Sequence, residues 1–270
     1  MTATSIGGRG AFIAGFPAPA KRKTGMDWLA TLRRELETAT IFLTRLPLRS
    51  QELLPLADAG RAFPLAGALV GGIGALVFAL AAWLGLPPIL AALLAVAATV
   101  AATGALHEDG LADSADGHFS GAARERVLEI MRDSRIGTFG ALALILSVGL
   151  RVCSLPHVLD AAASLVAVHA LSRGWLPWLM CRDSPARANG LAAGAGKPEA
   201  GTALWAAGLG IAVAVLALGL MAGLMAASAL CALGVAALAR RRLGGYTGDT
   251  LGAAQQAAEI GALLLLTVSP

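Results

Sequence analysis

The run His107-Glu108-Asp109-Gly110-Leu111-Ala112-Asp113-Ser114-Ala115-Asp116-Gly117 places four carboxylates beside a long apolar segment. Asp109, Asp113 and Asp116 stand at i, i+4 and i+7. On a helix turning about 100° per residue they fall within roughly 60° of one another, on one face. Like charges on one stripe repel, and no basic residue follows until Arg124, so the pattern calls for a positive group between them. A hard divalent cation such as Mg2+ takes carboxylate oxygens and keeps positions for water and phosphate. The spacing predicts a metal site built from Asp109, Asp113 and Asp116, serving phosphoryl-type chemistry. Glu108 points about 100° away from Asp109 and is the weaker candidate. His107 is a poor ligand for so hard an ion.

Four further constellations carry polar chemistry. Arg132-Asp133-Ser134-Arg135-Ile136-Gly137-Thr138 opens an apolar span. Backbone amides and two guanidinium groups there form either an anion site or ordinary basic anchoring. Ser172-Arg173 lies deep in an apolar segment. A charge at that depth costs at least about 2.5–3.5 kcal/mol and requires a carboxylate or a substrate phosphate as partner. Arg151 sits nearer the outer end of its span, where a long side chain can snorkel, and reads as structural. Asn189-Gly190-Leu191-Ala192 with Lys197-Pro198 either wraps a nucleotide or forms a flexible loop. Finally, Gly244-Gly245-Tyr246-Thr247-Gly248-Asp249 runs into a span in which Asp249, Gly252, Gln256 and Glu259 share one helical face. A polar stripe entering a membrane must face protein or water. Glu259, about two turns in, is a natural counter-ion for Arg173 or a further metal or proton-transfer group.

The elements that must position these groups are membrane helices. The chain is 57% hydrophobic and only 14% charged, with a mean hydropathy of +0.71, where a soluble domain carries about 25% charge. The apolar runs are continuous and do not alternate, which excludes a β-barrel. The formal charge of +4 reflects loop residues that set orientation and does not imply a nucleic-acid partner. The expected fold is all-α: a polytopic integral membrane bundle of about seven transmembrane helices plus an N-terminal interfacial helix. That helix is placed at 28–46, and the spans at about 63–84, 88–106, 138–156, 159–180, 202–219, 221–239 and 251–268. Residues 123–131 read as an amphipathic helix on the inner surface. With a cytoplasmic N-terminus, every Lys and Arg except Arg151 and Arg173 falls inside, as the positive-inside rule requires. The chemistry then faces the cytoplasm of a bacterial inner membrane. Residues 1–26 read as a disordered tail with a basic Lys21-Arg22-Lys23 cluster, and Met26 is an alternative start. Residues 27–270 form a single domain. Cys153, Cys181 and Cys231 show no metal or disulfide spacing.

At these same motifs the chain resembles the adenosylcobinamide-GDP ribazoletransferase (cobalamin 5′-phosphate synthase) family. The resemblance rests on Phe42-Leu43-Thr44-Arg45-Leu46-Pro47, Phe63-Pro64-Leu65-Ala66-Gly67, His107 with Asp109-Gly110-Leu111-Ala112-Asp113 and Asp116-Gly117, and Met131-Arg132-Asp133-Ser134-Arg135-Ile136-Gly137. It continues through Ser172-Arg173, Gly244-Gly245, Thr247-Gly248-Asp249 and Leu251-Gly252-Ala253. It runs from about residue 30 to the end. It implies an integral membrane enzyme that requires Mg2+. Adenosylcobinamide-GDP and α-ribazole, or its 5′-phosphate, condense, GMP leaves, and adenosylcobalamin or its 5′-phosphate forms.

Read onto that reaction, Asp109, Asp113 and Asp116 hold the metal. Arg132, Arg135 and Arg173 hold phosphate oxygens, with Asp249 and Glu259 also on the substrate. Asp116 or Asp133 takes the proton of the attacking hydroxyl, and the sequence does not choose between them. The lipid bilayer is a partner, and the sequence leaves a homo-oligomer open. Two other readings stand beside this one. A CDP-alcohol phosphotransferase-like phospholipid synthase would release CMP. A non-catalytic transporter would use Arg173, Glu259 and Asp109 as an ion path.

Overall fold

A computed structural model describes residues 28–48, 50 and 53–268. The expected tail over 1–26, with its basic cluster and alternative start, lies outside the described residues. Within them the chain is helical, with no sheet and a single bridge between Pro185 and Tyr246.

Helix α1 (Trp28–Leu43) is the expected interfacial element. Trp28, Leu29, Leu32 and Leu36 are exposed on one face. The buried Glu35 carboxylate accepts from the Arg61 guanidinium. After α2 (Leu56–Ala59) and a 3-10 turn, α3 (Phe63–Trp83) runs 21 residues with Pro64 in its first turn, where the missing N–H does no harm. The remaining helices are α4 (Pro88–Thr103), α5 (Leu106–Phe119), α6 (Arg124–Ile130), α7 (Thr138–Ser154), α8 (Ala161–Arg182), α9 (Leu191–Gly194), α10 (Ala200–Leu218), α11 (Ala222–Leu243) and α12 (Gly248–Val268). The expected split of the 202–239 region occurs at Gly219, whose φ of +77° breaks the helix between α10 and α11.

Five helical stretches among the described residues are long and apolar enough to cross a membrane: Leu56–Trp83, Thr138–His157, Ala200–Leu218, Gly223–Leu243 and Gly248–Val268. They present exposed Leu76, Leu80, Trp83, Ile145, Leu146, Leu216 and Leu230, a surface suited to lipid. Two of the seven expected spans differ. The one placed at 159–180 is α8, which at 22 residues and 1.5 Å per residue is about 33 Å long, long enough to cross. It is not apolar enough to qualify alone because His169, Ser172 and Arg173 face protein, and its neighbours shield it from lipid. The span placed at 88–106 ends at Thr103, and the chain bends by 90° into α5, so α4 and α5 pass the length and hydropathy test only together, as a broken span or a re-entrant loop. The break is local: Gly104 (φ +60°) and Ala105 (φ +54°) are both left-handed, and their amides bond back to the carbonyls of Ala101 and Val100. Such a φ strains an alanine.

Helix α8 is the axis of the bundle, packed by α3, α10, α11 and α12. Helix α3 reaches it through Gly67 and Gly71, where any Cβ would overlap the carbonyls of His169 and Leu165. The polar loops gather at one end of the bundle. Arg124 donates to the carbonyls of Leu243 (2.8 Å) and Ala186 (2.6 Å). The Ala57 amide bonds Ala195 (3.0 Å), and the Arg45 amide bonds Ala102 (2.7 Å).

Below that end a buried polar network ties α5, α7, α8 and α12 together. Arg151 of α7, 2% exposed, donates to Glu108 Oε1 of α5 (3.0 Å) and to Glu259 Oε1 of α12 (3.4 Å). Gln256 Nε2 donates to Glu108 Oε1 (3.2 Å), and Ser147 Oγ donates to Gln256 Oε1 (2.8 Å). Gln255 Nε2 donates to Glu259 Oε2 (2.6 Å) and to Ser172 Oγ (2.9 Å). Arg173 of α8 lies 3.8 Å from Glu259 Oε2 and His169 lies 3.2 Å from it. Two arginines thus balance two glutamates. The expected Arg173–Glu259 pairing is present. Arg151 does not snorkel: its guanidinium points inward because two carboxylates there outweigh the route to the surface.

Two outcomes follow. Gly67→Val should abolish stable folded protein in detergent, since a close-packed contact cannot absorb the added carbons. Gly72→Ala should leave the thermal midpoint unchanged, because nothing lies within 4 Å of its Cβ position. Arg151→Ala should cost as much stability as Arg173→Ala, about 3–5 kcal/mol each, because each strips a partner from a buried carboxylate. Denaturant unfolding in detergent reads both, and an Arg151→Ala protein as stable as wild type would refute the network's role.

Candidate active site

The site is assembled where α5 crosses the start of α12. Gly110 and Gly252 make that crossing possible: a Cβ at Gly110 would sit 2.8 Å from the Asp249 carbonyl, and one at Gly252 would sit 3.1 Å from the His107 carbonyl. The start of α12 is fixed by a reciprocal cap. The Thr247 amide bonds Thr250 Oγ1 (2.8 Å) and the Thr250 amide bonds Thr247 Oγ1 (3.2 Å). Asp249 falls in the first turn, where the helix dipole favours an anion. Its Oδ2 accepts from Thr247 Oγ1 (3.2 Å) and lies 3.6 Å from Arg187 Nη2.

Asp109 and Asp249 line the same cavity, of about 130 Å³. His107, Gly110, Gly248 and Gly252 line it too. The rest of the wall is apolar and includes Phe42, Phe63, Leu176, Met180 and Leu251. Arg187 stands beside the rim through Asp249. Burial pulls its pKa below the ordinary arginine value, Asp249 pulls it up, and neighbouring Arg132 pulls it down. Arg187 therefore brings a positive charge next to Asp249 at the cavity.

The expected aspartate triad does not close. Among the described residues no three His, Cys, Asp or Glu side chains are placed to hold a metal ion. Asp116 faces away from the cavity: its two oxygens accept the amides of Gly137 (2.7 Å) and Gly140 (2.8 Å), capping the start of α7. The reason is physical. Seven residues separate Asp116 from Asp109, about 10 Å along the helix axis, and the unsatisfied amides of α7 compete for its carboxylate. Asp113 is half-buried one turn beyond Asp109.

Asp133 and Arg135 pair with each other, Arg135 Nη2 to Asp133 Oδ2 at 2.6 Å and Nε to Oδ1 at 3.0 Å. With Asp116, Arg126 and Gly137 they line a separate surface depression. The guanidinium and the amide of Arg135 hold the Asp133 carboxyl down at about 2, which makes it a weak proton acceptor. Neither Asp116 nor Asp133, the two expected bases, lines the apolar cavity. Arg173 and Glu259 are both 1% exposed, both belong to the buried network, and neither lines the cavity or the depression. They contact each other at 3.8 Å.

Sequence reasoning missed Arg187 and undervalued Glu108 and Arg151. Arg187 follows Ser184-Pro185-Ala186, a loop that clamps onto the Thr-Gly-Asp turn through Ala186 N–Tyr246 O (2.8 Å) and Tyr246 N–Ser184 O (3.0 Å). Nothing local in the sequence announces that clamp. Glu108 could have been found by asking which carboxylate neutralises Arg151.

A profile of the cobalamin-5-phosphate synthase family matches residues 35–267. An adenosylcobinamide-GDP ribazoletransferase of Bradyrhizobium diazoefficiens is 47% identical over 252 residues, covering 89% of this chain and 96% of its own length. One of Mesorhizobium japonicum is 50% identical over 237 residues, covering 85% and 91%. One of Rhizobium johnstonii is 44% identical over 248 residues, covering 86% and 95%. No solved structure matches. A helical membrane bundle, an acidic-rimmed apolar cavity at its polar end, and relatives aligned across nearly their whole length agree on one conclusion: the chain belongs to the cobalamin-5-phosphate synthase family.

Proposed function

We propose that this transferase of cobalamin synthesis joins adenosylcobinamide-GDP to α-ribazole, or its 5′-phosphate, and releases GMP. The observation that carries the reading is the cavity itself, where Asp109 and Asp249 share an otherwise apolar lining and Arg187 pairs with Asp249. A diphosphate needs positive partners, and a neutral nucleophile needs a proton acceptor and a dry wall to lie against. In the reaction the ribazole hydroxyl oxygen bonds the phosphorus on the corrinoid side of the diphosphate. The P–O bond to GMP breaks, GMP leaves with that electron pair, and the hydroxyl proton passes to a carboxylate. Asp109, exposed at the rim, replaces Asp116 and Asp133 as the acceptor. Arg187 and Arg132 hold the phosphate oxygens.

The donor set bears on the metal. A closed cage of three aspartates does not fit the residues as placed, but Mg2+ is commonly bound by one or two carboxylates plus substrate phosphates. Asp249 with the substrate phosphates meets that requirement, so an ion shared with the diphosphate fits there, while Asp109 serves as the proton acceptor. Such an ion would neutralise charge on the diphosphate and on departing GMP. The inner membrane and a cytoplasmic active site follow from the same reading, because the basic loops gather at the end that carries the cavity.

The alternatives are weaker. A CDP-alcohol synthase has no relative among the similar proteins described above. A transporter's mid-membrane charges are present here, but they are packed against one another and line neither cavity.

Purified protein in detergent or nanodiscs should release GMP, and no CMP, from adenosylcobinamide-GDP in the presence of α-ribazole, and chelation of Mg2+ should stop it. Asp109→Asn should lower turnover by about 100-fold or more, the scale of lost general base catalysis, with membrane insertion intact. Arg187→Ala should raise KM for adenosylcobinamide-GDP. Absence of GMP release from folded wild type with both substrates and Mg2+ would refute the reading.

A further inference from the structure

The cavity at the crossing of α5 and α12 measures about 130 Å³, room for a few waters at about 30 Å³ each. Neither substrate of the proposed transfer fits in that space, so a wall has to move. Most walls are fixed. The lining residues from α3, α5, α8 and α12 stand on helices locked by close glycine contacts and by the buried charge network. One wall differs. Ala192 and Ala195 reach the cavity from residues 187–199, a segment whose only helix is the four-residue α9. The segment hangs between two firm ends. Before it, the Ala186 amide bonds the Tyr246 carbonyl (2.8 Å), and after it α10 begins at Ala200. Gly190 (φ +143°) and Gly196 (φ +79°) flank α9, in conformations that favour glycine and let the chain turn at little cost. The segment's ties to the bundle are light. The Ala195 carbonyl accepts from the Ala57 amide (3.0 Å), and Ala192 and Ala195 cluster with Leu56, Met180 and Tyr246. An alanine methyl buries little apolar area. Arg187 holds the near corner, 3.6 Å from Asp249 and 3.5 Å from the Leu128 carbonyl.

We propose that residues 187–199 form a hinged lid over the cavity, with the Tyr246 ring as its seat and Arg187 as its latch. The lid's purpose rests on the transferase reading, while its hinges and seat rest on the fold. Closed, the lid buries Ala192 and Ala195 in the Tyr246 cluster and sets the Arg187 guanidinium beside Asp249. Open, it lifts both methyl groups out, widens the cavity toward α9 and swings the latch away. Tyr246 is the positioning residue for this motion. Its backbone clamps the hinge end, its side chain packs in the same cluster as the two alanines, and it adjoins the Thr247 cap that sets Asp249. A diphosphate at Arg187 gives the latch a second anionic partner and favours the closed lid, so substrate arrival and closure are linked.

Two hydrogen-exchange measurements on the full-length protein in detergent test this. The first uses no ligand. The Ala57 amide lies outside the lid but bonds a lid carbonyl, so it exchanges when the lid opens. It should exchange about 100-fold or more faster than the amide of Ala258, inside α12. Arg187→Ala should raise the Ala57 rate about threefold, the scale of one partly exposed ion pair. Tyr246→Ala should raise it about tenfold or more, because the ring is lost from beneath the closed lid. Tyr246→Phe should keep the wild-type rate, since the Tyr246 hydroxyl makes no hydrogen bond among the described residues. An Ala57 amide as slow as Ala258, or a rate unchanged in either alanine variant, would overturn the lid. Where Tyr246→Ala does not fold, wild type and Arg187→Ala decide. The second measurement follows a demonstration of GMP release and adds adenosylcobinamide-GDP without ribazole. The Ala57 rate should fall about fivefold or more as the closed state gains population. An unchanged or faster rate would overturn the link between substrate and closure. The lid and the transferase reading fail separately. Lid exchange as expected without GMP release sinks the transferase and keeps the lid, and GMP release over a lid as slow as α12 does the reverse.

Discussion

Charge cannot be left alone in a membrane interior, and this fold is organised around meeting that constraint. Arg151 and Arg173 lie on different helices and face inward, and each has a glutamate on a third helix within reach. Glu259 is shared by both arginines, so α7, α8 and α12 are drawn to one point. Glu108 brings in α5, the short helix that follows a 90° bend. Breaking such a cluster is costly because whatever remains stays buried and uncompensated. The network sits one residue from Asp109 in sequence, and Glu259 lies on the same helix as Asp249. Its rigidity therefore reaches the cavity through two short helical segments.

This arrangement separates stability from chemistry. The buried charges hold the bundle together, while Asp109 and Asp249 line the cavity and Arg187 pairs with Asp249. Both kinds of surface stand next to each other in the cavity. The apolar wall comes from α1, α3 and α8, and the polar rim from the starts of α5 and α12. Two close glycine contacts, Gly110 with Asp249 and Gly252 with His107, bring the two rims within reach of one ligand.

The fate of the aspartate stripe shows how a one-dimensional pattern misleads. Asp109, Asp113 and Asp116 do share a helix, so the stripe is real. A stripe has length as well as direction, however, and its far end meets a different neighbour. Asp116 meets the unsatisfied amides of α7 and satisfies them. Asp109 meets the start of α12 and the cavity. One motif therefore carries a structural cap at one end and a cavity-lining carboxylate at the other.

The sequence by itself determined the helical membrane architecture, the interfacial helix, the family and the polar face of α12, because hydropathy, periodicity and motif order are local properties of the chain. The pairing of Arg173 with Glu259 was also legible, since a buried cation allows few partners. Only the tertiary structure decided that Arg151 is central, that the chain bends by 90° between α4 and α5, and that Arg187 reaches Asp249 across a clamp between two distant loops. Each of these depends on which helices become neighbours, which is set by close packing at glycines and by compensation of charge between segments more than 40 residues apart. Neither property is written in any window of the chain short enough to read as a pattern.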